Sequence, residues 1–264
     1  MKKNLLVFTL VFLVAGTIIL SCSKSGGGST TPNSTCKMTQ WVQGIGNNDT
    51  VNTITYDNNG HLSKIKATYG GLYPDTLLFT YDANGRLSTT VQPSDIQTYT
   101  YNSNGLLSTI TATWGNQTYI TYGVNNLPTL VKNYYNGALS TIDSVQFDSN
   151  GDLISVKEVS GGTVTQATFQ YNTNKNSLAS QWLLNYNNFA GLDDIFVAGT
   201  NSFEFIVRYY SAHLLSKCTF SNGNNVTFTY SYDASQNVTN SKALVLTSSS
   251  GNYTFTRSYN YNCN

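Results

Sequence analysis

The sequence predicts an all-β protein, an antiparallel up-and-down meander of β-hairpins curled into a barrel or half-barrel. Two observations predict it. The first is a turn that recurs, as "TYDNNGHL" at Thr55, "TYDANGRL" at Thr80, "TYNSNGLL" at Thr100 and "QFDSNGDL" at Gln146. The spacing of about 20 to 25 residues has room for two short strands and two turns, which makes each unit a hairpin. The second is strict alternation in the residues that enter each turn. Ile54 and Tyr56, Phe79 and Tyr81, Tyr99 and Tyr101, Ile120 and Tyr122, Val145 and Phe147, and Phe169 and Tyr171 share one side. Thr55, Thr80, Thr100, Thr121, Gln146 and Gln170 take the other, so one face packs and one is wet.

The turn letters have separate physical reasons. Asp or Asn after the aromatic accepts a hydrogen bond from the backbone two residues on, and Asn-Gly supplies residues that tolerate positive φ. A type I turn closed by Gly60, Gly85, Gly105 or Gly151 in the left-handed conformation fits a hairpin with a small bulge. These four glycines are expected to be structural. In the strands that leave the turn, Leu62 and Ile65, or Leu107 and Ile110, are an odd number of residues apart. A bulge near the turn, or a second partly buried face, has to accommodate one of each pair. Degenerate copies are read at Thr121, Asn133, Gln170 and Ser231.

Residues ahead of the meander carry an address. Lys2 and Lys3 precede an uncharged apolar run from Leu5 to Leu20 that ends in Ser21-Cys22, the pattern of a bacterial secretory signal over residues 1–21. The run "IILSC" is similar to a lipobox, so Cys22 is the expected lipidation site. Residues 22–35 are rich in Gly, Ser, Thr and Pro, with one charge and nothing to bury, and form a flexible tether. An acyl chain on Cys22 with such a tether would hold a domain of residues 36–264 at a membrane surface. The expected place is the cell envelope, as an outer-membrane lipoprotein facing either the periplasm or the outside.

Composition excludes some partners. The chain has 14 Lys and Arg against 13 Asp and Glu, and charged residues are only 10% of it, while Tyr number 19 and Gly 21. No basic surface for nucleic acid is implied. Cys36, Cys218 and Cys263 remain after Cys22, and the envelope permits disulfides. A Cys36–Cys263 bridge would stitch the first strand to the last. The rival pairing is Cys218 with Cys263, leaving Cys36 free. The cysteine and histidine spacings fit no metal site, and no cofactor is expected.

The "YDxNGxL" units resemble YD repeats, the hairpin motif that winds into a shell in Rhs-type toxins and teneurins. The resemblance is close over Thr53 to Tyr171 and looser over Asn224 to Tyr261. The wider arrangement of lipobox, polar tether, "CKMT" opening strand, YD-like hairpins and "YNYNC" end is similar to a family of Bacteroidota lipoproteins with a porin-like β-barrel fold. That resemblance implies a fold and an anchor. An embedded barrel would need strands of about 9 to 11 residues, whereas the strands here read as about six to eight.

The repeat fails over residues 176–217, which hold Trp182, Asp193, Asp194, Glu204 and His213. As an irregular insert this is the first place to seek a ligand groove, beside the plainer reading of a segment capping the sheet. Adjacent Asp193 and Asp194 point apart in an extended segment and do not form a hydrolase pair. No nucleophile elbow, P-loop or dinucleotide fingerprint is present, so no catalytic residue is named. Tyr69, Tyr73, Trp114, Tyr134 and Tyr135 fall near strand ends. They are read first as core and second as a surface for carbohydrate. The expected function is a non-enzymatic binding or surface-interaction module, with a glycan or an envelope protein as partner. The alternatives are a glycan hydrolase using the 176–217 insert and a purely structural envelope component.

Overall fold

A computed structural model describes residues 36–45, 48–69, 72–93, 95–175, 213–247 and 252–263. The signal, Cys22, the tether, and Trp182, Asp193, Asp194 and Glu204 lie outside the described residues.

Sixteen strands follow one another: β1 (Cys36–Ile45), β2 (Asn48–Tyr56), β3 (Leu62–Tyr69), β4 (Leu72–Tyr81), β5 (Leu87–Gln92), β6 (Asp95–Tyr101), β7 (Leu107–Ala112) and β8 (Asn116–Tyr122) form the first half. The second half is β9 (Pro128–Tyr135), β10 (Ala138–Phe147), β11 (Leu153–Ser160), β12 (Thr163–Lys175), β13 (His213–Phe220), β14 (Asn225–Tyr232), β15 (Val238–Leu246) and β16 (Tyr253–Cys263). Each pairs antiparallel with its sequence neighbours, and β1 also pairs with β16, so the meander closes into a barrel. Closure removes the unpaired edges that an open meander would leave exposed. The strands run from 6 residues in β5 to 13 in β12, longer in places than the alternation suggested. In β12 the extra residues lie at the end nearest the next strand: the copy read at Gln170 continues as strand through residue 175 and does not turn after Tyr171.

All the YD-like turns sit at one end of the barrel, here termed the Asx end. In five of them an Asp or Asn side-chain oxygen accepts from two backbone N–H groups, whereas Gly123 stands at that place in the β8–β9 turn. Asp82 Oδ1 takes Asn84 at 2.8 Å and Arg86 at 2.9 Å, and Asn102 Oδ1 takes Asn104 and Leu106 at 3.0 Å each. Gly60, Gly85, Gly105 and Gly151 close these turns with φ of 84°, 74°, 77° and 88°. Beside the turn the register shifts, between Thr55 and Tyr56, Thr80 and Tyr81, and Thr100 and Tyr101 on the entering strand. This bulge puts Leu62 and Ile65 on the same inner face, although three residues separate them. The copy read at Asn133 belongs elsewhere. Asn136 and Gly137, with φ of 49° and 78°, make a two-residue turn at the opposite, far end, joining β9 to β10.

The YD tyrosine does more than pack. Tyr81 Oη donates to the carbonyl of Leu62 at 2.8 Å, Tyr101 to that of Leu87 at 2.8 Å, and Tyr122 to that of Leu107 at 2.7 Å. The same bond runs from Tyr56 to Met38, Tyr171 to Leu153 and Tyr261 to Val238. Each unit is thereby tied to the one before it. Burial pushes the phenols of Tyr56, Tyr81 and Tyr101 up to about 12. In two units the residue after the turn glycine adds a contact. His61 stacks on Tyr81 with centroids 4.7 Å apart, and the Arg86 guanidinium lies 4.4 Å from the Tyr101 ring centre.

The inner face is packed near the Asx end by Ile54, Leu62, Ile65, Leu77, Phe79, Leu87 and their counterparts, all buried. The outer wall carries the other half of the alternation. Thr53, Thr55, Lys64, Lys66, Thr80, Thr98, Thr100, Gln146, Lys157, Thr168 and Lys242 are exposed. A disulfide joins Cys36 to Cys263 at the Asx end, across the β1–β16 pair, and Cys218 is a buried free thiol. Burial raises the Cys218 thiol well above its ordinary range.

Candidate functional site

The far end is built differently from the Asx end. There the β7–β8 turn presents Trp114, which is 60% exposed, and the end of β9 presents Tyr135 at 55%. Gly115 in the first turn has φ of 82°, and its carbonyl accepts from the backbone N–H of Asn136 in the second at 3.0 Å. On the other flank Asp95 Oδ1 accepts from the backbone N–H of Thr113 at 3.1 Å and from its hydroxyl at 2.6 Å. Thr113 N–H also donates to Ile96 O, and Ile96 N–H donates to Thr113 Oγ1. The turn that carries Trp114 is therefore fastened on both sides.

Down the outer wall from this rim, Tyr119 and Tyr134 meet edge to face with centroids 5.5 Å apart. Tyr119 Oη donates to Gln117 Oε1 at 3.1 Å. Residues 112–119 and 133–141 contain no charged side chain. The core reading of Trp114 and Tyr135 is corrected. They lie beyond the apolar half of the barrel, where the interior is already filled by smaller polar groups. Tyr134 is partly exposed on the outer wall, and the side chains of Tyr69 and Tyr73 lie outside the described residues.

Inside the barrel, toward the far end, a polar row crosses four strands. Thr118 Oγ1 on β8 donates to Asn133 Oδ1 on β9 at 2.8 Å. Asn133 Nδ2 donates to Thr141 Oγ1 at 2.8 Å and to Asp143 Oδ2 at 3.3 Å on β10. Asp143 is directly opposite Glu158 of β11 in the register, and both are buried. Burial first, and then the Asp143 carboxylate beside it, push Glu158 up to about 8. The pair holds one proton at neutral pH, because two adjoining carboxylates in a desolvated site resist ionising together. Carboxyl groups in direct hydrogen-bond contact are closer than the roughly 5 Å that a retaining glycosidase keeps between its two.

His213 opens β13 and is bonded to Asp152. Its Nδ1 lies 2.6 Å from Asp152 Oδ2, and its backbone N–H donates to Asp152 Oδ1 at 2.8 Å. Asp152 is the buried residue after Gly151, so this pair fixes the start of β13 against the β10–β11 turn. It acts as a clamp on the returning chain. Among the described residues no group of three or more His, Cys, Asp and Glu side chains could hold a metal ion.

Sequence reasoning missed Tyr119, the Asp143–Glu158 pair and Asp152. A signal existed for Asp143, since alternation places it with Val145 and Phe147 on the inner face. Nothing marked Glu158 as its partner before the register of β10 on β11 was known. For Asp152, the repeat shows a variable position after the glycine, occupied by His61, Arg86 and Leu106 in the other units.

The geometry defines a class first: a closed antiparallel barrel of sixteen strands, assembled from YD hairpins. A porin-like protein from Bacteroides uniformis matches with a TM-score of 0.63 at 15% identity, over 89% of this chain and 99% of that one. A porin-like protein from Bacteroides vulgatus has a TM-score of 0.46 at 16% identity, over 86% of this chain and 98% of that one. At the level of sequence, the teneurin YD-shell family model matches residues 45–174, which are the strands and turns of the regular repeat. No curated protein matches the sequence.

Proposed function

We propose that this chain is a lipid-anchored protein of the cell envelope, held at the outer membrane through Cys22, whose barrel acts as a non-enzymatic binding or surface-interaction module. One observation carries the reading. The exposed aromatic rim stands at the far end, while Cys36 stands at the Asx end. A flexible tether between Cys22 and Cys36 has an r.m.s. reach of about 20 Å, enough to leave a barrel free beside a lipid surface. The outer wall sets exposed Lys, Thr and Gln among single exposed Leu78, Ile154, Val164 and Leu244, which supports a barrel beside the bilayer and not within it, because a lipid-facing wall has a continuous apolar band. That composition replaces strand length as the criterion, since β4, β10 and β16 are 10, 10 and 11 residues long.

The test is metabolic labelling with an alkyne fatty acid in a Gram-negative host, followed by membrane fractionation. Wild-type chain is expected to take label and sediment with outer membranes, and Cys22→Ser to do neither. Unlabelled wild-type protein recovered from the soluble fraction would overturn the anchored reading. The hydrolase alternative rests on the insert over 176–217. Its one described candidate, His213, is engaged by Asp152.

A further inference from the structure

We propose that the far-end rim binds an uncharged carbohydrate chain, with sugar ring faces laid on Trp114 and Tyr135 and sugar hydroxyls met by Asn116 and Asn136. This rests on the reading above that the rim is the contact surface, and adds the chemical class of what it contacts.

Three features of the rim carry the assignment. The turn beneath the exposed Trp114 ring is held, being fastened to Asp95 and Ile96 on one side and to Asn136 on the other. A large ring kept in water on a rigid turn loses little conformational entropy when a ligand covers it. Next, the two hairpin tips bear amides and hydroxyls between their rings and no charge at all. The Asp95 carboxylate beside Trp114 is already engaged by Thr113, and its charge would repel a nucleic acid or an anionic polymer. Sugars present apolar C–H faces and a fringe of hydroxyls, which is the complement of a ring flanked by Asn side chains.

The patch is the size of a short glycan. At roughly 150 to 250 Å² per aromatic ring, the exposed fractions of Trp114, Tyr119 and Tyr135 make a surface of about 300 Å², and the apolar neighbours Leu139 and Ile96, 49% and 45% exposed, extend it. Few sugar units are needed to cover it.

The full chain, purified in detergent, is titrated by calorimetry with cello-, malto-, manno- and xylo-hexaose, and with oligogalacturonate as a charged control. At least one neutral hexaose is expected to bind with micromolar to millimolar affinity and to perturb tryptophan fluorescence. Trp114→Ala should weaken that binding about tenfold or more, and Tyr135→Ala should weaken it also. Neither substitution should shift the melting temperature beyond a degree or so, since both rings are mostly in water. Binding of the charged oligomer alone would overturn the proposal, as would silence from all four neutral sugars or binding indifferent to both substitutions. Failure of fatty-acid labelling would remove the anchor and leave this result standing, so the two readings fail separately.

Discussion

Asn136 N–H donates to the carbonyl of Gly115 across two neighbouring turns, and the Asn136 side chain occupies the space into which a Cβ on Gly115 would project. Two hairpins at the far end are thus locked by a contact that only glycine permits. Gly115→Ala meets both obstacles at once, the blocked space and a φ of 82°. A loss of about 1 to 2 kcal/mol in urea melts is expected, together with red-shifted Trp114 emission as its turn loosens. A variant with wild-type midpoint and spectrum would show that the lock does not matter.

The tyrosine bonds between successive units lead to a second expectation. Tyr81→Phe keeps the ring and removes only the bond to Leu62 O, so about 0.5 to 1.5 kcal/mol should be lost. The natural sequence contains the comparison, since Phe147 takes this place in the unit of β10 and β11. Converting it by Phe147→Tyr should stabilise, if the hydroxyl can reach the strand before it. Equal melts for Tyr81→Phe and wild type would reduce the tyrosine to packing alone.

Glu158 gives the stability a slope with pH. Its carboxyl keeps a proton up to about pH 8 in the folded barrel, whereas in an open chain it would lose it near 4.5. Between these values the folded state binds more protons than the unfolded, so stability falls as pH rises, by at most about 1.4 kcal/mol per unit. Glu158→Gln stays neutral at every pH. Its advantage over wild type should therefore open above about pH 4.5 and level off above about 8, read as urea midpoints across that span. Parallel profiles for the two proteins would contradict the shared proton.

Asp82 works in the opposite sense. The Arg86 backbone N–H, followed by its guanidinium, holds the Asp82 carboxyl below its ordinary range. A depressed folded value means stabilisation that is complete above the unfolded value and is lost as pH falls through the folded one. Asn102 makes the same two backbone bonds without a charge. Asp82→Asn should then keep the turn and lose that turn's share of acid sensitivity, whereas Asp82→Ala should lower the melting temperature at neutral pH. Identical melts for Asp82→Ala and Asp82→Asn would mean that the side-chain oxygen is not what shapes the turn.

Most of the architecture was legible because it is local. Asn-Gly after Asp, an aromatic before it and a leucine after it dictate a turn, a bulge and two strand faces with no reference to the rest of the chain. The odd spacing of Leu62 and Ile65 announced the bulge for the same reason. Longer-range relations were not written in this way. Strand alternation does not say that β1 meets β16 as any two neighbours meet, which is what decides barrel against half-barrel. The hydrogen bonds that fasten the Trp114 turn reach Asp95, Ile96 and Asn136 on different hairpins, so the rim could not be told from core by spacing alone. The same limit explains the Asn133 copy: "YYNG" has the letters of the repeat, but Asn136 and Gly137 form a two-residue turn with no acceptor residue ahead of them. Their place at the far end follows from counting strands.

Eight junctions link even-numbered strands to the odd-numbered strands beside them at the Asx end. Six are turns closed by an Asp or Asn or its degenerate equivalent, one is the passage from Lys175 to His213, and one is the Cys36–Cys263 bridge. The disulfide holds the place of a missing turn, and the barrel is a ring of eight hairpins cut once. Where such a ring is cut is of little consequence to the sheet, so a circular permutant opened at another Asx turn would have the same neighbours throughout. The cut does fix polarity. Both cut ends, Cys36 and Cys263, lie at the Asx end, opposite the hairpin tips that bear Trp114 and Tyr135.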